Sequence, residues 1–166
     1  MKLPAITTAK TERTRQVEEA LTANYVEFQY CFVDFLVEYL EDLSRVFRGD
    51  LTQMLVLAVI GQSRIRAVRD AMTTGLSAAE VATLRSGVSA SRVADLTSVP
   101  RQTVRRKLAQ LRDKGWVEQY EDGTWGMAVS QGASNAGQDL KEADRRALAR
   151  VARMFADLES IVGPPS

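Results

Sequence analysis

The chain has 166 residues, 45% hydrophobic and 26% charged, the composition of a globular protein with one ordinary domain or two small lobes. It has no histidine and a single cysteine, Cys31, which excludes an intrachain disulfide, the common zinc ligand sets, and both Ser-His-Asp and Cys-His catalysis. Its net charge is only +1, yet residues 89–114 carry +5 while 1–50 and 115–166 carry −3 each, so a polyanion would meet the middle of the chain and not its ends.

The opening stretch MKLPAITTAKTERTRQ lacks the apolar run of a signal peptide. The most apolar run, Tyr25 to Leu40, is broken by Glu27, Asp34 and Glu38, charges that a lipid-spanning helix rarely carries. The expected location is therefore cytoplasmic, with no membrane partner. Residues 11–48 predict one long helix, because no Gly or Pro falls between Ala5 and Arg48 and Gly49 supplies a stop. Its apolar residues, from Val17 to Phe47, cover more than one stripe. Such a helix needs partners on more than one side, and in a chain this small a second subunit is the natural supplier. Cys31 reads as a small apolar side chain within this helix.

Asp50 or Thr52 would cap a second helix running to about residue 72, basic in its second half (Arg64, Arg66, Arg69), with Gly75 ending it. Ser77 and Glu80 have the spacing of a capping box and predict a short helix over 78–85. Ser89 would cap a helix over 90–97. Pro100 is placed at the first helical position of the next, which runs to Asp113 and closes at Gly115. From 116 to 128 the pattern changes to WVEQYEDGTWGMA, a hairpin turning at Asp122-Gly123. Residues 130–137 read as a polar loop, and 138–162 as a final amphipathic helix followed by Pro164 and Pro165. The expected division is 1–72, 73–128 and 129–166.

At about 100° per residue, Val104, Leu108 and Leu111 share one face of the 101–113 helix, the stripe to be buried. Gln102 and Arg106 lie opposite, Arg105 flanks them, and Thr103 and Lys107 stand at one edge. Arg bonds guanine bidentately and Gln does the same to adenine, while Thr and Lys reach phosphates. The expected base-reading residues are Gln102, Arg105 and Arg106. The expected phosphate contacts are Ser89, Arg92, Arg101, Thr103 and Lys107.

The stretch SASRVADLTSVPRQTVRRKLAQLRDKGWVEQYEDGTW resembles the DNA-binding core of MarR-like and IclR-like transcriptional regulators. The resemblance rests on Val93-Ala94, on Pro100-Arg101 with Thr103, Val104, Arg106 and Leu108, and on Leu111 with Lys114-Gly115-Trp116-Val117. It covers roughly residues 88–128. It implies a mainly α fold containing a winged helix-turn-helix DNA-binding domain with a small β-hairpin wing, flanked by N- and C-terminal dimerisation helices. It further implies a homodimeric, sequence-specific regulator of transcription, most simply a repressor, on double-stranded DNA with half-sites roughly 34–36 Å apart. A small apolar or aromatic effector is implied as well. The chain departs from the pattern in two places. The wing tip is acidic (Glu121, Asp122) where such wings often carry Arg, which argues against phosphate contact there. The stretch 73–88 is longer than a compact linker.

A second reading is a dimeric winged-helix scaffold that binds protein and not specific DNA, since the fold alone does not decide function. No enzyme is expected. Glu38, Glu41 and Asp42 read as a helix surface, and no Gly-rich phosphate loop, metal cluster or activated nucleophile is present, so no cofactor or metal is expected either.

Overall fold

The computed structural model describes residues 5–130 and 132–163; Pro164 and Pro165 lie outside the described residues. The chain is mainly helical and divides into two compact units, Met1–Asp42 with Ala143–Ser166, and Leu43–Glu142. The division falls inside the second helix and just after the start of the last one, not after residue 72, because the helix that follows residue 50 shares its core with what comes after it.

In the first unit the expected single N-terminal helix is two: α1 (Ala5–Ala23) and α2 (Tyr25–Phe47). The break is at Asn24. Its side-chain Nδ2 donates to the Ala20 carbonyl at 2.9 Å, the same oxygen that its backbone N–H reaches at 3.1 Å, and such competition by a short amide is what interrupts helices at Asn. The last helix, α8 (Lys141–Val162), meets α2 through charge. Asp42 is 4% exposed and accepts from Arg146 Nε at 3.0 Å and from Arg150; Glu38 accepts from Arg150 Nε at 2.9 Å and lies 3.6 Å from Arg153. The Arg150 hydrogen bond, with help from Arg146, holds the Asp42 carboxyl below its ordinary range despite its burial. The apolar residues of this unit are placed otherwise. Among the described residues none is buried, and Tyr25, Val26, Tyr30, Val33, Val37 and Leu40 of α2 and Leu148, Val151 and Phe155 of α8 are exposed, Tyr30 to 75%.

The second unit contains α3 (Leu51–Thr73), α4 (Ala78–Thr83), α5 (Ala90–Thr97), α6 (Arg101–Asp113), a hairpin of β1 (Val117–Gln119) and β2 (Trp125–Met127), a second small hairpin of β3 (Val129–Ser130) and β4 (Ala133–Ser134), and α7 (Asn135–Asp139). Its core joins Val56, Leu57 and Ile60 of α3, Val93 and Ala94 of α5, Val104, Leu108 and Leu111 of α6, and Trp116, Val117, Trp125 and Met127 around the first hairpin. Ile60, Leu108, Leu111, Val56, Val93, Val104 and Val117 are fully buried, which at about 1.5–3 kcal/mol for each large aliphatic side chain makes this cluster the main source of the unit's stability.

Most of the local signals have the expected outcome. The Ser77–Glu80 capping box forms, with Ser77 N–H donating to Glu80 at 2.8 Å and Glu80 N–H to Ser77 Oγ at 3.3 Å. Val117 pairs with Met127, Glu118 with Gly126 and Gln119 with Trp125. Tyr120 N–H then bonds Thr124 O at 2.8 Å, leaving a three-residue loop over 121–123 with Gly123 at φ +80° and Asp122 Oδ1 accepting from Thr124 N–H at 2.9 Å. Val88 adds a bridge on the other side of β2, exchanging both hydrogen bonds with Trp125 at 2.9 Å. Tyr120 crosses this small sheet. A Cβ at Gly126 would sit 2.0 Å from its hydroxyl, so position 126 holds no larger side chain unless Tyr120 moves.

The tail of the unit differs from the expected polar loop. Val129 pairs with Ser134, and Ser134 then caps α7 by accepting from Gly137 N–H at 3.1 Å. The turn is completed by Asn135, whose backbone N–H reaches Ala128 O and whose side chain reaches Gly115 O, both at 2.9 Å. The expected final helix forms as α8, starting at Lys141; Leu140, packed against the core, separates it from α7.

Candidate nucleic-acid interface

The basic segment lies on α6, and its surroundings fix which way each side chain faces. Ser89 N-caps α5, accepting from Arg92 N–H at 3.1 Å. Ser98 ends α5 at φ +56°, and Thr97 steadies the corner, its Oγ1 donating to Val93 O at 2.7 Å and accepting from Val99 N–H at 3.3 Å. Pro100 is the N-cap of α6 and not its first helical residue, one position earlier than expected, and it offers no side-chain cap. The helix closes as a Schellman motif: Trp116 N–H bonds Leu111 O at 3.0 Å, Gly115 N–H bonds Arg112 O at 2.7 Å, and Gly115 takes φ +71°. The Trp116 indole N–H then donates to Asp139 at 2.7 Å, its ring meets Phe47 edge-on at 5.9 Å, and the Lys114 ammonium lies 4.8 Å above it.

With Val104, Leu108 and Leu111 turned inward, Arg101, Gln102, Arg105 and Arg106 are exposed and Thr103 is half-buried. Arg105 leans to one side of α6, where with Ser89, Ala90, Ser91, Gln119, Gly123 and Trp125 it lines an open cleft of about 470 Å³ between α5, α6 and the hairpin. Arg106 lies next in sequence to Lys107, the residue that reaches Asp50 at the start of α3, and its charge helps to lower that carboxyl. The expected base-reading set is thus brought onto one helix surface but spread across it, while Ser89 and Arg92 are exposed at the neighbouring start of α5.

Lys107 needs correction. It is 8% exposed and its ammonium pairs with Asp50, so its charge is spent inside the protein and it leaves the set of phosphate contacts. The helical spacing carries the signal: Lys107 is three residues after Val104 and four before Leu111, on the buried stripe and not at its outer edge. Asp50, which caps α3 by accepting from Gln53 N–H at 2.9 Å, is the partner that sequence reasoning missed. The network continues through Gln53, itself buried: its Nε2 donates to Gln110 Oε1 at 3.2 Å, and its Oε1 accepts from Lys114 Nζ at 2.6 Å. Burial pushes the Asp50 carboxyl up, but the Lys107 hydrogen bond, the Gln53 N–H and the charges of Lys107 and Arg106 outweigh it, and the carboxyl stays below its ordinary value.

Elsewhere in this unit, Arg64 does not hold its charge out to solvent. It donates to Leu84 O and, at 3.1 Å, to Val81 O, tying α4 to α3, whereas Arg66 and Arg69 are exposed. Among the described residues no group of His, Cys, Asp and Glu side chains is arranged to hold a metal ion, and no helix is long and apolar enough to cross a membrane. Set against known proteins, the chain matches no family model, no curated protein and no solved structure.

The ion pair can be isolated from the cap, because Asn caps helices as well as Asp. Asp50→Asn should cost about 1–2 kcal/mol in urea denaturation, and Lys107→Ala about 2–3 kcal/mol because it also strips a buried stem and leaves Asp50 unpaired. A carboxyl whose folded value is lowered contributes stability above its ordinary value near about 3.9 and loses it as pH falls through the folded value. Wild type should therefore lose its advantage over Asp50→Asn as pH drops below about 4; equal stability of the two at neutral pH would refute the role given to the pair.

Proposed function

We propose that the chain is a homodimeric regulator of transcription that binds duplex DNA through the exposed face of α6. One observation carries this reading: Arg101, Gln102, Arg105 and Arg106 stand together in solvent on a helix whose opposite face is locked into a core. A short helix, a tight corner, a basic helix and a small hairpin, bridged at Val88, follow the order of a winged helix-turn-helix, the fold that the MarR-like resemblance implies. In this reading Gln102 and Arg106 meet base edges, Arg105 lies towards the hairpin, and Ser89, Arg92, Arg101 and Thr103 hold phosphates, helped by the uncapped first N–H groups of α6. Occupation of a promoter would make it a repressor.

Purified protein selected against sheared DNA from its own source should enrich a two-fold symmetric motif, and Gln102→Ala with Arg106→Ala should lose it, at about 1–3 kcal/mol per base-reading contact. Equal, weak binding by both proteins would instead favour the protein-binding scaffold.

The second copy is assigned to the exposed apolar stripe of α2 and α8. The first unit has no buried apolar residue among those described, and a two-fold contact would bury the same stripe of both copies at once, giving it the core it lacks. Sedimentation equilibrium should report a dimer for wild type and a monomer for Tyr30→Glu with Val37→Glu. A double variant that stays dimeric would place the interface elsewhere.

A further inference from the structure

A helix lying in the major groove has a phosphate strand on either side, so the two flanks of α6 face the same chemistry. They are not built alike. On the flank of Arg105 stands the hairpin, which exposes Glu118, Glu121 and Asp122 and so repels a phosphate strand. On the opposite flank, where Lys107 of α6 reaches Asp50, stands the turn between α2 and α3, Arg48-Gly49-Asp50. There the one carboxylate, Asp50, is neutralised by Lys107, so the charge left on the turn is the guanidinium of Arg48.

Arg48 is an unusual choice for its place. It adopts φ +52°, a backbone region that suits Gly and costs any residue with a Cβ, and Gly49 follows at φ +80°. Its left-handed backbone closes α2, letting Gly49 N–H bond Ser44 O at 2.8 Å, a task a glycine does at less cost; its side chain is exposed and makes no ion pair or hydrogen bond among the described residues, so nothing inside the protein calls for an arginine there. A residue held in a conformation that a glycine would adopt more easily, with no internal partner, marks a side chain kept for something outside.

We infer that Arg48 is a phosphate-gripping residue: it holds the phosphodiester strand on the α3 side of the groove, while the acidic hairpin leaves the opposite strand alone. The grip of the second unit on duplex DNA is thus one-sided, with Arg48 doing at the turn what a basic wing would do at the hairpin. This rests on the duplex-binding reading above and adds a contact that the basic run of α6 does not contain.

The test uses the full chain and a mixed-sequence duplex, with affinity measured across a salt series. Wild type must first show salt-dependent binding; if it does not, the duplex-binding reading itself fails, and this inference with it. Given binding, Arg48→Gly should melt no lower than wild type, since glycine suits the turn, yet bind several-fold more weakly with a salt slope smaller by about one unit. Its deficit should shrink by about threefold when salt is raised fourfold. Arg48→Lys should keep the slope. Wild-type affinity and slope in Arg48→Gly would overturn the inference while leaving duplex binding intact, and so would a loss of melting temperature in Arg48→Gly or an equal loss of slope in Arg48→Lys.

Discussion

The pairing of Lys107 with Asp50 sets the geometry on which the rest of the second unit depends. Asp50 caps α3 and receives a buried ammonium from the middle of α6, so the first turn of one helix and the roll of another are fixed by a single carboxylate. Gln53, one turn into α3, extends the link to Gln110 and Lys114 further along α6. Apolar burial is non-directional and would tolerate a rotated α6; a charged pair with a capped partner does not. With Lys107 held inward, Arg101, Gln102, Arg105 and Arg106 are left exposed.

The two units solve different problems. The second buries its own apolar residues around Ile60, Leu108 and Leu111 and leaves its polar helix face outside. In the first, arginines and carboxylates join α2 to α8, with Asp42 nearly fully buried, while the apolar residues are half-buried or turned out. A self-contained core suits a module that must present a rigid surface, and an outward apolar stripe suits one completed by a second copy. Basic residues divide in a similar way: Arg101, Arg105 and Arg106 of α6 are exposed, while Arg146 and Arg150 of α8 pair with carboxylates of α2.

Features written in short-range chemistry were legible in the sequence. The Ser77–Glu80 box, the Ser89 cap, the closing Gly115 and the Asp122-Gly123 turn each depend on residues within a few positions of one another, and α4, α5, α6 and the first hairpin follow from them. What was missed depends on distant partners or on competition. Asn24 splits the first helix by bidding for a carbonyl that the helix also uses. The β3–β4 hairpin and α7 draw on Ala128 and Gly115, which a local reading of a polar stretch does not connect to it. Lys107 was read by its charge, which suggests the surface, when its spacing on the buried stripe and an acid 57 positions away decide the matter. Arg48 carries no sequence signal beyond its charge; it stands out only once the backbone shows an arginine where a glycine belongs.

The central claim is that the outward face of α6 meets duplex DNA, and backbone hydrogen exchange with and without a mixed-sequence duplex at low salt tests it most directly. The account requires slowed exchange at the start of α6 and at the 48–50 turn, lost again when salt is raised, with the acidic tip of the hairpin unchanged. Protection at the hairpin tip with none on α6, or no change anywhere in the second unit, would contradict it.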